Sequence, residues 1–250
     1  MDLILNNLSV GYGRKTILGD INALLSSGRL TMLVGANGSG KSTLLRTIIG
    51  AQPPIAGSIS LNGKELSRLS AAQRARLLAV VLTERTGGGG LRVDELVAIG
   101  RHPYSGVFGR LNSDDRQIIA DAIEAVGLGH KAAAQVAELS DGERQKAMIA
   151  RALAQQTPLI ILDEPTSFLD IAARFEVMDL LARLVEQRGT TVLMSIHDVA
   201  ASLPVAHDLW AIAEGRLYAG CKSEIIASGV LDCVYHNARF DSGTLDFRRK

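Results

Sequence analysis

An α/β core carrying an inserted all-helical subdomain is the fold predicted by this 250-residue sequence. Strand-like and helix-like segments alternate at both ends of the chain, while the stretch from about 91 to 156 reads as helical throughout. A glycine-rich loop, GANGSGKS at 35–42, joins an apolar strand to a helix. Residues 2–10 and 16–25 alternate in polarity as strands do, and LTMLV at 30–34 is an apolar run. A helix begins near Lys41 with Leu44, Leu45, Ile48 and Ile49 on one face, and stops at Gly50 before Pro53 and Pro54. A strand at 55–61 turns at Asn62-Gly63, followed by a helix at 70–78 and a strand at 79–82.

In the middle region Ser113-Asp114-Asp115 opens a helix with acidic residues in its first turn, closed by Gly127. Ser140, with Glu143 three residues on, has the form of a capping box and starts a helix running to about Gln156. LIIL at 159–162 reads as a buried strand, 172–188 as a helix ending at Gly189, and 191–196 as a strand. A hairpin at 209–220 turns at Glu214-Gly215, and a helix covers about 223–235. No internal repeat is visible.

Apolar residues make up 47% of the chain, enough for one large core. The net charge of +1 gives no electrostatic footprint for nucleic acid. Cys221 and Cys233 supply neither a disulfide framework nor a paired metal spacing, which fits a reducing compartment. No apolar run approaches the roughly 18 residues of a membrane span, and the N-terminus lacks the basic leader of a secretion signal. A cytoplasmic protein is expected, one that works at a membrane only through another chain.

The loop at 35–42 matches G-x-x-x-x-G-K-[ST] in the strand-to-helix context which that pattern requires. Glycines let the backbone approach phosphate oxygens, and a helix N-terminus presents N–H groups to an anion. Asn37, Gly38, Ser39, Gly40, Lys41, Ser42 and Thr43 are therefore the candidate nucleotide-binding set. Lys41 is placed to reach β- and γ-phosphates, and the Ser42 hydroxyl to ligate Mg²⁺. LIILDEP at 159–165 puts two carboxylates at the C-terminal end of a strand, where open α/β sheets bind ligands. Asp163 is expected to hold Mg²⁺ through its water shell. Glu164 is expected to act as general base toward the attacking water.

With these two elements in place, LSDGERQ at 139–145 resembles the signature of the ATP-binding cassette (ABC) ATPases, usually written LSGGQ. Asp141 replaces the first glycine and Glu143 the glutamine, while Ser140 and Gly142 remain. Ser140 also caps a helix whose positive end is open to an anion. The resemblance covers essentially the whole chain, with its motifs in the family's order. It implies a phosphate-loop NTPase core, a mixed sheet with an antiparallel N-terminal β subdomain, spanning 1–85 and 157–250, with a helical subdomain at about 86–156. Tyr12 matches the aromatic that stacks on adenine, Asp170 in SFLD the dimer-interface loop, and His197 the switch histidine that contacts the γ-phosphate. Catalysis is thus assigned to Glu164, His197 and Lys41, with ATP and Mg²⁺ as cofactors and Ser140 and Gly142 as further ATP contacts. Two such chains sandwich two ATP molecules head to tail, so a homodimer is implied.

A finer likeness lies in RVDELVAIGRHPYSGVFGRL at 92–111, which looks like the permease-facing stretch of the iron-siderophore, haem and vitamin B12 importer ATPases. It implies integral membrane permease subunits as partners, a periplasmic or extracellular substrate-binding protein acting indirectly, and residence at the cytoplasmic face of the membrane. Ferric siderophore or haem is placed ahead of cobalamin. The short stretch after His197 leaves no room for the regulatory domain of sugar-importer ATPases. The rival functions are a cassette ATPase acting on DNA, ribosomes or protein assembly, and a regulatory ATP-binding protein that barely hydrolyses. The permease-facing likeness argues against the first, and Glu164 with His197 against the second.

The run VVLTERTGGGG at 80–90 lies where the family carries a glutamine that touches Mg²⁺. Gapless placement puts Thr83 at that position, with Glu84 next, so either is expected to act as a weakened metal-shell sensor. The four glycines then read as a hinge inside one ATPase rather than a linker between two domains.

Overall fold

The computed structural model describes residues 2–82, 90–105, 110–196, 199–235, 238–241 and 243–249. The chain opens with β1 (Leu3–Tyr12), β2 (Lys15–Leu25), β3 (Leu30–Gly35), α1 (Lys41–Ile48), β4 (Ala56–Leu61), β5 (Lys64–Glu65), α2 (Ala71–Ala75) and β6 (Leu78–Val81). The middle holds α3 (Val93–Ala98), α4 (Ser113–Ala125) and α5 (Asp141–Ala154). Then come β7 (Leu159–Asp163), α6 (Ile171–Arg188), β8 (Thr191–Ser195), α7 (Val199–Ser202), β9 (Asp208–Ala213) and β10 (Arg216–Cys221). The chain finishes with α8 (Lys222–Ala227), α9 (Leu231–Val234), β11 (Ala238–Asp241) and β12 (Asp246–Arg249).

Two sheets carry the fold. One is antiparallel, in the order β2-β1-β4-β5; the other is mixed, in the order β10-β9-β3-β8-β7-β6. In the mixed sheet β9, β3, β8, β7 and β6 run parallel and β10 pairs antiparallel with β9. Both faces of its central strands are covered, which is why they read as unbroken apolar runs. Successive side chains point to opposite faces. Leu33, Leu159, Ile161, Leu193 and Trp210 join the core shared with β1, β2, β4 and α1. Met32, Val34, Ile160, Leu162, Val192 and Met194 join the core shared with α3, α4, α5 and α6. The α/β class with its antiparallel β portion and inserted helices is therefore the observed architecture.

Local chemistry sets the element ends. Asn62-Gly63 and Glu214-Gly215 turn with positive φ at both residues, the primed geometry that suits tight hairpins. Gly189 closes α6 in the left-handed region at φ 63°.

The structure corrects the sequence in four places. The middle region is not helical throughout. Among the described residues between α3 and α5 there are three short 3₁₀ turns, and Arg92 pairs with Gln135 as an isolated bridge. The helix expected at 70–78 ends at Ala75, because β6 already begins at Leu78. The helix expected at 223–235 is two helices broken at Gly229, whose φ of 72° no continuous helix accepts. The C-terminal hairpin β11–β12 carried no clear signal; its Phe240 and Phe247 rings meet edge-on at 5.2 Å. Of the glycine run, Gly87–Gly89 lie outside the described residues.

Candidate functional site

Parallel pairing brings the chemistry to one edge. Leu33 of β3 lies opposite Ser195 of β8, and Ser195 lies opposite Asp163 of β7. The loop leaving β3 and the carboxylates ending β7 are thus neighbours. Tyr12, Asn37, Gly38, Gly40, Lys41, Ser42, Thr43 and Glu164 line one cleft of about 450 Å³, with Ile17 as an apolar wall.

The loop is shaped by its glycines. Gly40 precedes α1 at φ 110°, and a Cβ there would lie 2.9 Å from Ile17. A Cβ on Gly35 would lie 2.5 Å from the Ser39 hydroxyl, so glycine leaves room for that hydroxyl where it stands. Ser39 Oγ is buried and has no protein partner, the mark of a donor kept for a ligand. Lys41 is 5% exposed, and its ammonium donates to the carbonyls of Gly35 at 2.7 Å and Ala36 at 3.3 Å. Burial pushes the Lys41 pKa down, while the charges of Glu164 and Asp163 pull it back up. An orphan hydroxyl and a desolvated ammonium held by replaceable carbonyls fit a polyphosphate. Thr43 Oγ1 donates to the Tyr12 hydroxyl at 3.3 Å, which ties the exposed tyrosine to the loop and lowers its pKa.

Asp163 and Glu164 are organised by a residue the sequence reading passed over. The Ser195 hydroxyl donates to Asp163 Oδ1 at 2.6 Å and accepts the Glu164 N–H at 2.9 Å. Glu164 sits at φ 50°, a left-handed conformation that strains a non-glycine residue. Its carboxylate also accepts the Ser167 hydroxyl at 3.1 Å. The available signal was a serine ending an otherwise apolar strand. Among the described residues no group of three or more His, Cys, Asp or Glu could hold a metal alone. Ser42 and Asp163 fit Mg²⁺ all the same, since that ion binds through one or two protein groups, waters and substrate phosphates.

Ser140, Gly142 and Asp170 do not line the cleft. They sit at two adjacent helix starts. Ser140 Oγ accepts the Glu143 N–H at 3.2 Å and caps α5, while Asp170 Oδ1 accepts the Ala173 N–H at 2.8 Å and caps α6. A Cβ on Gly142 would come within 2.9 Å of Ala173, so this glycine lets the two first turns pack together. The two acidic departures from the family pattern are both paired. Asp141 bonds Arg144 at 2.8 Å, and Glu143 bonds Lys131 at 2.6 Å. Lys131, twelve positions from its partner in sequence, could not have been found there. His197 and Thr83, with Glu84, lie outside the described residues.

Lys131 and the Ser140 N–H hold the Glu143 carboxyl below its usual range. A depressed carboxyl stabilises the fold above its unfolded pKa and loses that contribution as pH falls. Glu143→Gln should therefore cost about 0.5–1 kcal/mol in urea unfolding at neutral pH. The deficit should shrink as the pH falls through the lowered folded-state pKa and vanish only below it. An acid-independent deficit would contradict the pairing.

Comparison with known proteins agrees with this geometry. Residues 18–167 match the ABC transporter family. The chain is 39% identical over 229 residues to the iron(3+)-hydroxamate import ATP-binding protein FhuC of Bacillus subtilis, covering 91% of this chain and 85% of that protein. It is 35% identical over 229 residues to the ferric enterobactin transport ATP-binding protein FepC of Escherichia coli, covering 91% and 84%. A solved inward-facing transporter described as of metal-chelate type superposes with a TM-score of 0.85 at 27% identity, over 99% of this chain and 97% of that one. The cleft, the carboxylates and these likenesses converge: the chain belongs to the ABC transporter family, as an ATP-binding, ATP-hydrolysing cassette.

Proposed function

We propose that this cassette powers import of a metal chelate, a ferric siderophore or haem before cobalamin, through separate permease subunits in the membrane. The carrying observation is the convergence of the 35–42 loop and Glu164 on one cleft, in a chain resembling iron-chelate import ATPases across nine-tenths of its length. No helix among the described residues is long and apolar enough to cross a membrane; the substrate path is assigned to the permease subunits. The place of work is then the cytoplasmic face of the membrane. A substrate-binding protein on the other side acts only through the permease.

The chain's own residues define the chemistry. Tyr12 supports the adenine ring. Asn37 to Thr43 enclose the phosphates, and Lys41 exchanges the carbonyls of Gly35 and Ala36 for phosphate oxygens. Ser42 and Asp163 would hold Mg²⁺, with Thr83 as an outlying contributor; a bound ion would offset the negative charge of the phosphates. Glu164 accepts a proton from the water whose oxygen bonds the γ-phosphorus as the bond to the β-phosphate oxygen breaks. Ser195 holds the Glu164 backbone N–H and Ser167 bonds its carboxylate. His197 senses the γ-phosphate. Ser140 and Gly142 present the positive end of α5 to the nucleotide of a second copy, with Asp170 beside them at the interface. The working unit is a homodimer with two composite sites, and the helical subdomain at about 86–156 moves against the core at 1–85 and 157–250.

Three outcomes test this reading. Glu164→Gln should lower kcat by about 10²–10⁴-fold while ATP binding persists and an ATP-dependent dimer accumulates; unchanged turnover would refute the general-base role. A tagged chain expressed in its own cells should co-purify with a polytopic membrane protein, whereas ribosome or DNA association in its place would favour the non-transport reading. Thr83→Ala or Glu84→Ala should weaken ATPase activity and transport; if both leave them unchanged, neither residue is a metal-shell sensor.

A further inference from the structure

We propose that Arg101 is the positioning residue of α5: its buried guanidinium anchors the C-terminal end of the helix that carries Ser140 at its start. The inference rests on the composite-site reading above and adds to it the device that aims the signature.

Arg101 belongs to the GRHPY segment at 100–104 and is 6% exposed. Its Nε donates to Asp115 Oδ1 at 2.8 Å. Its Nη1 donates to the Ala154 carbonyl at 2.8 Å and to Gln156 Oε1 at 3.0 Å. The guanidinium carbon lies 4.3 Å from the centroid of the Tyr104 ring, and the Tyr104 hydroxyl donates to the Gln155 carbonyl at 3.0 Å. Asp115 is the acidic member of the box that starts α4, its second oxygen accepting the Asn112 N–H at 3.1 Å. One side chain thus joins the start of α4 to the end of α5.

The end of α5 needs such a partner. The last carbonyls of a helix have no intrahelical donor and carry the negative end of its dipole. A planar cation with a fork of donors answers both needs; a lysine offers charge without the fork. The same end is also bound to the strand layer. Arg151 donates to the Val80 carbonyl at 3.0 Å, and Gln155 to the carbonyls of Ala75 and Leu78 at 2.6 and 3.0 Å. Gly100 lets the segment lie against α5, since a Cβ there would be 2.2 Å from the Arg151 carbonyl.

Leverage gives the anchor its consequence. With 14 residues, α5 is about 21 Å long, so a tilt of about 10° at the anchored end moves Ser140 by about 4 Å. A misplacement of about 1 Å can cost a hundredfold in rate. The Tyr12-to-Thr43 side of the site belongs to other elements and does not feel the tilt. Arg101 therefore acts on the step that needs the signature, not on nucleotide binding by one chain. A buried ion pair that serves only stability is replaceable by apolar residues of similar volume, and that separates the two roles.

The test compares wild type, Arg101→Lys and the double variant Arg101→Met/Asp115→Leu, each also in the Glu164→Gln background. Melting temperature, ATP affinity of the monomer, steady-state KM and kcat, and ATP-driven dimerisation are measured. Both variants should bind ATP as wild type does, yet lose about tenfold or more in kcat and in dimer affinity. The double variant should do so while melting near wild type. A double variant with wild-type stability, kcat and dimerisation would overturn the inference, as would a kcat loss in both variants that merely follows the folded fraction. Should Arg101→Lys fail to fold, the double variant decides alone. If Glu164→Gln with Arg101 intact does not dimerise with ATP, the composite-site reading fails and takes this inference with it.

Discussion

The backbone ladder joining β3, β8 and β7 is the constraint on which the site depends. Because these strands are parallel and in register, Leu33, Ser195 and Asp163 end together at one edge. The loop after β3 and the carboxylates of β7 then share a boundary without any long connection. Ser195 stands between them and satisfies Asp163 and the Glu164 backbone with one hydroxyl. That bond holds Glu164 at positive φ, a strain worth about 1–3 kcal/mol. At that position Glu164 lines the cleft together with Lys41 and Ser42.

Charge is placed with equal economy. Lys41 is desolvated with its ammonium on backbone carbonyls, neutral acceptors that an incoming phosphate can displace. Two carboxylates at the start of α5 oppose the positive helix end that the family pattern leaves bare. Arg144 and Lys131 neutralise them in place. At the far end of the same helix, Arg101 supplies the cation that the dipole favours.

Much of this was legible in the sequence for definite reasons. Central strands buried on both faces must be continuously apolar, and LTMLV, LIIL and TVLMS stand out for that reason. The phosphate loop is local, so its spacing alone carries its geometry. Capping boxes are local too, which is why Ser140 with Glu143 was readable. Contacts between distant segments were not. Ser195 near Glu164, Lys131 beside Glu143 and Arg101 under Ala154 depend on tertiary packing that no spacing encodes. The middle region was over-read as helix because its short 3₁₀ turns keep much of a helical polarity pattern. The break at Gly229 was a visible glycine whose positive φ only the fold reveals.

The central claim is that a working site takes its phosphate loop from one copy and its signature from another. Mixing two variants tests it directly: one chain with Lys41→Ala and an intact Ser140, the other with Ser140→Arg and an intact Lys41. Each alone should be inactive. Mixed, they form one site from the intact loop of the second chain and the intact signature of the first, so ATPase activity should return. Activity that stays absent on mixing, or full activity in Ser140→Arg alone, would contradict the account.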